Sequence, residues 1–513
     1  MESSTVTTKT NEKIGFQMLV IILGVFMAVL DTSIVNVAIP KMMTIFGVNE
    51  SSIQWVVTAY TLTVGSIIPV TGYLGERFGY KRVFMVALTI FTIGSGLCGA
   101  AWSNSSMILF RIIQAIGGGA LMPISMAMVT RMIPKEKRGM AIGVFGIAIM
   151  FAPAVGPTLS GYITEYLDWR LIFYINVPIG IADVFLAYFF LKNSEVNLTK
   201  KFDLLGFILS VVGFSTLLYG FGEVPDHGWN STDVIPFLVI AIISLTLFIF
   251  RELNIDEPML DLRLLKNTGF SFGLLLIAVT SIMLLGVLFL LPIFLQNIMG
   301  FSAMRTGIIL LPQALVAGAL MPVAGILFDK VGIKPLAGTG FLIMAIAMFF
   351  MIHISEQTAM STIILLLMLR SAGIGITMMP LQANGLNQIP DNMEAQGTAI
   401  LNAVNQIANS FGVAWLSLLL SQRSKIHFSA DASHLSIFSQ PVTQFMQKIQ
   451  AYGHLKGMSV TQAKSLAIRF FQGQVQLHSI VQAIDDIFYV LTFVAIGAAL
   501  ITFLQRDKKR EAS

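Results

Sequence analysis

The stretch Gly72-Tyr73-Leu74-Gly75-Glu76-Arg77-Phe78-Gly79-Tyr80-Lys81-Arg82 lies between two long apolar runs. A second stretch later in the chain lies in the same setting and reads Gly325-Ile326-Leu327-Phe328-Asp329-Lys330-Val331-Gly332-Ile333-Lys334. Both place a glycine, an acid, a base, a glycine and a base in the same order and at the same spacing. A charged tight turn that recurs between apolar helices indicates a membrane protein built from two related halves, an organisation typical of transporters.

The composition also indicates a membrane protein. Charged residues make up 12% and hydrophobic residues 55% of the 513 residues, and the mean hydropathy is +0.80, whereas soluble domains carry about 25% charged residues. The one cysteine, Cys98, lies in an apolar segment, so no disulfide within the chain is expected. The polar leader up to Phe16 and the long first apolar run predict no cleavable signal peptide.

Fourteen apolar runs are predicted to span the bilayer, most of them near the ~20 residues that a spanning helix needs. They lie at 17–38, 52–74, 83–101, 106–128, 139–161, 171–191, 203–222, 234–251, 270–292, 305–328, 335–352, 359–380, 398–420 and 484–504. Lysine and arginine concentrate in alternate loops, for example at Arg77, Lys81 and Arg82, which predicts that both termini are cytoplasmic. The net charge of +5 therefore reflects topology, and no nucleic-acid binding is expected.

The repeated turn resembles motif A of the major facilitator superfamily, and fourteen spans resemble its drug:proton antiporter branch of the EmrB/QacA type. Further matches to that branch follow in order along the chain. They are the segments 30–40, 111–114 with 117–119, 153–157 with Gly161, and 169–170 with Phe173, Asn176, Pro178 and Gly180. Glu76, Ala115 and Ser160 depart from the family pattern but keep charge or size. The resemblance is specific for the family and carries no information on the substrate.

The resemblance implies an all-α integral membrane protein of that superfamily's fold, with two six-helix bundles and one inserted helix pair. The expected divisions are a cytoplasmic leader (1–16), an N-terminal bundle (17–191), the inserted spans seven and eight with their linkers (192–269), a C-terminal bundle (270–504) and a cytoplasmic tail (505–513). Within the C-terminal bundle, residues 421–479 form a long outer loop, and their pattern predicts an amphipathic helical hairpin lying over the outer face. An insertion without a function is the alternative.

Asp31 in span one and Arg111 in span four are the expected proton-coupling residues. Counted at 1.5 Å per residue from the predicted outer ends near Ala38 and Ser106, both lie roughly 8–10 Å below the outer boundary. The resemblance places their spans side by side along the central cavity. A buried carboxylate must be paired, neutral or in contact with water. A proton or a cationic substrate would compete with Arg111 for Asp31 and so couple the two fluxes; a purely structural ion pair is the alternative.

The two charged turns are expected to act as latches of an inner gate. Their glycines permit close helix approach and unusual backbone angles, and each acid can lie against the positive N-terminus of a helix from the other half. By the resemblance, Glu76 faces the start of span thirteen near Gly397, and Asp329 faces the start of span five near Gly139. The gate candidates are Gly72, Glu76, Arg77, Gly79, Gly325, Asp329, Lys330 and Gly332. A tight turn whose bases only set the topology is the alternative.

Small residues and amides mark two further helices. The antiporter-motif candidates in span five are Pro153, Gly156, Pro157 and Gly161. They kink and thin the helix, so that helices of opposite halves can touch and seal a leak; a simple packing bend is the alternative. Span thirteen carries four amides on one helical face, which line a cavity or bond to other helices. The cavity candidates are Gln114, Arg370, Asn402, Asn405, Gln406 and Asn409. For Arg370, a packing or carbonyl-capping role is the alternative. Asp183 in span six ranks below Asp31, because that span is peripheral in the family fold.

The sequence contains no phosphate-binding loop, and its histidines are scattered, so neither an enzyme site nor a metal site is expected. The resemblance predicts a proton-coupled multidrug antiporter for hydrophobic compounds, with cationic compounds as the expected class. It would use the proton motive force without ATP or a cofactor and act as a monomer among membrane lipids in a bacterial cell membrane. A lipid or glycolipid translocase and a non-transporting membrane sensor or assembly platform are the alternatives.

Overall fold

The computed structural model describes residues 2–134, 137–194, 196, 201–390, 393–434, 440–455 and 458–504, so the expected tail 505–513 lies outside the described residues. Within these ranges the chain forms helices and no β-strand, because a bilayer leaves an apolar backbone segment no other way to satisfy its polar groups than a helix or a closed barrel. The helices are α1 (Glu2–Phe46), α2 (Glu50–Phe78), α3 (Tyr80–Gly99), α4 (Asn104–Met132), α5 (Arg138–Tyr166), α6 (Leu171–Tyr174), α7 (Asn176–Phe190), α8 (Leu204–His227), α9 (Ile235–Asn254), α10 (Thr268–Ile293), α11 (Ala303–Val331), α12 (Ile333–Phe350), α13 (Met360–Asn387), α14 (Glu394–His434), α15 (Gln440–Leu455) and α16 (Val460–Leu504).

By length and composition, fourteen spans in the described part could cross a membrane, which confirms the predicted number. The sixth span, Leu171–Phe190, consists of α6 and α7. The bounds of the first span differ from the prediction, since α1 already begins at Glu2, within the expected leader, and continues to Phe46. Pro40, two residues beyond the predicted end of the span at 38, lies inside the helix. Asp31 therefore lies nearer the middle of its helix than the sequence estimate placed it.

The outer loop is a helical extension of the last two spans. The prediction of helices holds, but α14 and α16 continue from their spans as helices of 41 and 45 residues instead of folding over the outer face. Beyond the predicted end of the span, polar and apolar residues continue at helical spacing, so the sequence contains no signal that would end α14 there. Gln476 Nε2 of α16 donates to Ser424 Oγ of α14 (3.3 Å), and α15 packs on α16. Positions 435–439 and 456–457 of this loop lie outside the described residues.

The two halves meet where α5 packs on α11 and where α2 packs on α14. The two repeated turns join α2 to α3 and α11 to α12, and we call the end of the bundle that carries them the inner end, after the orientation expected from the sequence. Gly79 and Gly332 have φ angles of +88° and +81°. Side chains disfavour this backbone region, so the turn itself requires the second glycine of each repeat.

Within the inserted pair, α8 packs against α2, α14 and α9, so the pair lies beside the seam between the halves. Asp203 caps α8, since the Gly206 N–H donates to its Oδ1 (3.0 Å). The Arg251 guanidinium of α9 donates to both oxygens of the same carboxylate (2.7–2.8 Å). These contacts join the first residues of α8 to the last turn of α9.

Candidate functional site: a sealed ion pair, a central cavity and an inner gate

Asp31 of α1 and Arg111 of α4 form an ion pair that is sealed inside the N-terminal half. The two residues are 0% and 1% exposed, and Arg111 Nη1 donates to Asp31 Oδ2. Gln114 Nε2 (2.8 Å) and Asn176 Nδ2 (3.4 Å) donate to Asp31 Oδ1. The guanidinium also lies over the Tyr60 ring, 3.9 Å from its centroid. The structure thus brings together the two residues that the sequence analysis paired, and the surrounding donors compensate the buried carboxylate for lost water.

The position of this cluster corrects two expectations. Asp31 and Arg111 do not line the central cavity, although the sequence analysis placed them there. Gln114, expected to line the cavity, belongs to the cluster instead, since its Oε1 also accepts from Arg111 Nη1 (2.8 Å). Arg111 and Gln114 are three residues apart and share one face of α4, and that face turns toward α1. Direct competition between a cavity-bound substrate and Arg111 is therefore not possible in this conformation. Asn176, which the sequence analysis noted only as part of a family motif, is a further member of the cluster.

A cavity of about 320 Å³ lies between the two halves. Apolar residues such as Val29 and Met150, together with Pro153 of the antiporter motif, form its N-terminal side. The C-terminal half supplies the polar residues Ser281, Gln313, Arg370, Ser371, Asn402, Asn405, Gln406 and Asn409. Arg370 and the four amides of span thirteen were expected here from the sequence. Gln313, Ser281 and Ser371 were not, because a single polar residue in an apolar helix gives no periodic signal.

Only two of the three guanidinium nitrogens of Arg370 donate hydrogen bonds within the described part of the chain. Nη1 donates to Met283 O (3.1 Å) and Nη2 to Gln313 Oε1 (3.1 Å), whereas Nε has no hydrogen-bond partner in the described part of the chain. Among the described residues that line the cavity there is no carboxylate. The cavity therefore offers one positive group and neutral amides in an apolar wall, which is a poor complement for a cation.

The small residues of α5 contact both halves. Gly156 packs on Ser33 of α1, where the hydroxyl leaves no space for a Cβ. Gly161 faces the other half, since a Cβ added there would lie 3.7 Å from that of Met304 in α11. Pro157 also contacts α11, 3.4 Å from the position that a Cβ on Gly307 would take. The segment 153–161 thus contacts α11 of the other half, as expected from the sequence. It also contacts α1, the helix that carries Asp31.

The first charged turn lies against the N-terminus of α14. A Cβ added at Gly72 would be 3.5 Å from the carbonyl oxygen of Ala395, and Gln396 Nε2 donates to Glu76 Oε1 (3.4 Å). Glu76 is thus at the helix start that the resemblance assigned to it. Arg77 remains within its own half, with its guanidinium 6.0 Å from the centroid of the Tyr73 ring.

The second charged turn lies against the N-terminus of α5. Gly325 packs directly on the backbone of Gly139, with no room for a side chain on either residue. Asp329 Oδ1 would be 3.0 Å from a Cβ at Gly139, so this acid is also at the expected helix start. Lys330 is exposed. The two turns close the inner end from opposite halves.

An ion pair missed by the sequence analysis joins the halves between these turns. Arg138 Nη2 of α5 lies 2.6 Å from Glu394 Oε1 of α14, and the two side chains are 7% and 1% exposed. In the sequence, Arg138 is only one of the basic residues whose distribution predicts the orientation of the chain. Gln396 Oε1 also accepts from the backbone N–H of Asp261 (2.9 Å), so the linker after the inserted pair takes part in the closure. One signal in the sequence could have predicted this pair. The helices α5 and α14, whose starts lie against the glycines of the charged turns, each carry a charged residue in their first turn.

Comparison with known proteins gives matches along most of the chain. The profile of the Major Facilitator Superfamily matches residues 21–413. The "Uncharacterized MFS-type transporter YhcA" of Bacillus subtilis (strain 168) is 37% identical over 502 residues, which cover 96% of this chain and 93% of that protein. The "Lincomycin resistance protein LmrB" of Listeria innocua is 34% identical over 402 residues (78% and 85%). The "Multidrug export protein EmrB" of Escherichia coli (strain K12) is 28% identical over 477 residues (91% and 90%).

Proposed function

Since the chain belongs to the major facilitator superfamily, we propose that it exports hydrophobic compounds in exchange for protons. It is a multi-pass membrane transporter of the drug-efflux type and not an enzyme. The observation that carries the proton part of the proposal is the sealed Asp31–Arg111 pair, because an ionisable pair inside a membrane bundle is costly and marks ion pathways.

Protonation of Asp31 is the proposed coupling event. It neutralises the carboxylate, so Arg111 loses its ionic partner and the tie between α1 and α4 weakens. The packing of α1 on α5, and of α5 on α11, carries this change to the seam between the halves. The proton and the substrate then act on one conformational equilibrium from separate sites.

The cavity lining changes the expected substrate class. Without a carboxylate among its described lining residues, it does not support the earlier expectation of cationic compounds. Apolar walls, five amides and the free Nε of Arg370 favour neutral or acceptor-bearing hydrophobic compounds. Arg370→Gln should therefore reduce transport of anionic and acceptor-rich compounds more than transport of cations, when a panel of both is compared at equal protein amount.

The remaining parts of the proposal concern energy and location. The proton motive force drives the cycle, with no ATP and no cofactor, and one chain among membrane lipids is the working unit. The relatives named above are bacterial, which supports a bacterial cell membrane as the location.

Proteoliposomes with an imposed pH gradient test the proposal. Lincomycin and a neutral lipophilic dye serve as probes, and an enclosed pH indicator reports proton flux. The wild type should accumulate a probe against its gradient and release protons on probe addition. Asp31→Asn should abolish uphill movement, whereas Asp168→Asn, which alters an exposed acid, should not.

Three results would contradict the proposal. Uphill export by Asp31→Asn under a pH gradient would remove Asp31 from the coupling. A wild type that moves neither probe nor protons but translocates a fluorescent lipid in the same vesicles would support the lipid translocase instead, and one that moves nothing would support the sensor alternative.

A further inference from the structure

Asp183 of α7 is a buried carboxylate that lacks a hydrogen-bond partner in the described part of the chain. The residue is 0% exposed, and neither Oδ1 nor Oδ2 accepts or donates a hydrogen bond. Its carboxyl group packs against Gly24 of α1, since a Cβ added to this glycine would be 3.2 Å from Asp183 Oδ2. Phe84 of α3 packs against the same glycine and closes the site. The fold thus makes space for this carboxyl group but provides it with no counter-charge.

The surroundings determine the charge state of Asp183. An ionised carboxylate without a donor or a cation is not stable in such a site, because nothing replaces its lost water. Among the described side chains of α1, α3 and α7, the charged groups are engaged elsewhere or exposed, and the buried Tyr80 of α3 packs on Gly75 under the Arg131 guanidinium. On α1, Asp31 is paired with its arginine; on α3, Lys81 Nζ donates to the backbone oxygen of Tyr188 (2.7 Å), and Arg82 is exposed; on α7, the Tyr188 ring is exposed. Asp183 is therefore a neutral carboxylic acid in this conformation.

Asp183 and Asp31 lie along the same seam between α1 and α7. Gly24 and Asp31 are seven residues apart on one face of α1, and Asn176 and Asp183 are seven apart on one face of α7. Asn176 donates to Asp31, and Asp183 contacts Gly24. Along the contact between α1 and α7, Asn176 therefore lies at the depth of Asp31, and Asp183 lies at the depth of Gly24. At 1.5 Å per residue, Asp183 is about 10 Å closer to the inner end than Asp31.

Hydroxyl groups of α3 lie along the same seam. Asn176 Nδ2 donates to Ser95 Oγ (3.1 Å), and one turn further inward Thr92 packs directly on Gly180 of α7. Gly180 is four residues after Asn176 and three before Asp183, so Thr92 lies between the two carboxyl groups. None of these residues lines the central cavity. The interface of α1, α3 and α7 therefore carries polar side chains between the depths of the two carboxyl groups, apart from the central cavity.

We propose that Asp183 is a second proton-binding site of the N-terminal half, protonated in this conformation, which receives its proton from Asp31 and releases it at the inner end. In the transfer, the Asp31 carboxylic acid loses its proton and becomes the carboxylate that pairs with Arg111, while the Asp183 carboxylate becomes the neutral acid. Water at the inner end then takes the proton from Asp183. The role of Asp183 in the transport cycle rests on the proposed antiport, whereas the presence of a proton on its carboxyl group does not.

The bound proton can be tested without transport. Infrared spectra of the purified full-length wild type at neutral pH should contain the carbonyl stretch of a neutral carboxylic acid. This band should be absent from the Asp183→Asn spectrum and should therefore appear in the wild-type-minus-variant difference. Asn has the shape of the neutral acid, so this variant should fold; Asp183→Leu provides a second, apolar replacement. Asp226→Asn, which alters an exposed acid, should leave the band unchanged. A carboxylic acid band of equal intensity in wild type and both Asp183 variants would overturn the proposal.

Transport measurements test the route. In proteoliposomes, Asp183→Asn should slow proton-driven uphill export by about tenfold or more, as removal of a proton-transfer group does, and exchange of substrate without a pH gradient should be retained. Loss of the infrared band with unchanged uphill export would overturn the route. If the wild type shows the band but no substrate-linked proton flux, the antiport fails while the proton site stands.

Discussion

Replacement of Glu394 by Gln should open the inner gate. Removing one member of a buried ion pair costs about 3–5 kcal/mol, because the other charge remains buried and unpaired. Arg138 keeps hydrogen bonds to Ile133 O (3.2 Å) and Asn387 Oδ1 (3.5 Å), so the lower end applies. In an inner-open conformation water solvates the guanidinium and this cost vanishes. A difference of about 3 kcal/mol shifts the ratio of open to closed molecules by about 100-fold, at 1.4 kcal/mol per factor of ten.

Cysteine labelling measures this shift. Ala399 of α14 is 0% exposed and lies just beyond the gate, so Ala399→Cys in a Cys98→Ser background reacts with a maleimide only when the gate opens. In inside-out vesicles, labelling of the Glu394→Gln variant should be about 100-fold faster than labelling of its parent, in proportion to the open population. Glu356→Gln, which alters an exposed acid between α12 and α13, is the matched control.

A reversed pair separates the ionic contribution from other effects. Arg138→Glu combined with Glu394→Arg keeps opposite charges at the two positions and should return the labelling rate toward that of the parent. Equal labelling rates for Glu394→Gln and Glu356→Gln, at equal membrane insertion, would refute the assignment of the pair to the closed gate.

Three further outcomes are expected. Gly332→Ala forces an L side chain into a left-handed turn and should destabilise the protein by about 1–2 kcal/mol in thermal unfolding, whereas Gly222→Ala, in open space within α8, should not. Burial raises the pKa of Asp203, but hydrogen bonds from the α9 guanidinium and the backbone outweigh this and hold it below its ordinary value of 3.8. The stabilisation is therefore present above pH 3.8 and lost as the pH falls through the lowered value, so Asp203→Asn should lower Tm at neutral pH and the difference should shrink in acid. Joining Ser424 to Gln476, whose side chains already touch, by a short Gly/Ser linker should spare proton release but alter export rate or substrate range; unchanged export of every probe would leave the extension without a transport role.

The sequence predicted the features that depend on local composition or on a repeated spacing. Charged residues are rare in spans, so Asp31 and Arg111 stood out, and the repeated turn marked the two acids that lie at the starts of α14 and α5. The rotation of each helix about its axis could not be predicted in the same way. Gln114 lies in the ion cluster because the packing of α4 turns that face toward α1, and no pattern within α4 specifies this. The contact of Arg138 with Glu394 likewise joins residues far apart in sequence, whose meeting depends on how the two halves dock.

The N-terminal half holds Asp31 and Asp183, the two carboxyl groups proposed to carry the proton, and the C-terminal half holds Arg370 and the amides of the cavity. Asp31 and Asp183 do not line the cavity, so in the proposed antiport the coupling of proton and substrate passes through helix movement. The helix placed to transmit it is α5: Gly156 packs on Ser33, two residues from Asp31, and Gly139 packs on Gly325 at the inner gate. A shift of α1 on protonation therefore acts on the helix that closes the gate. The antiporter motif thus lies on the helix that contacts both α1, which carries Asp31, and the other half at α11.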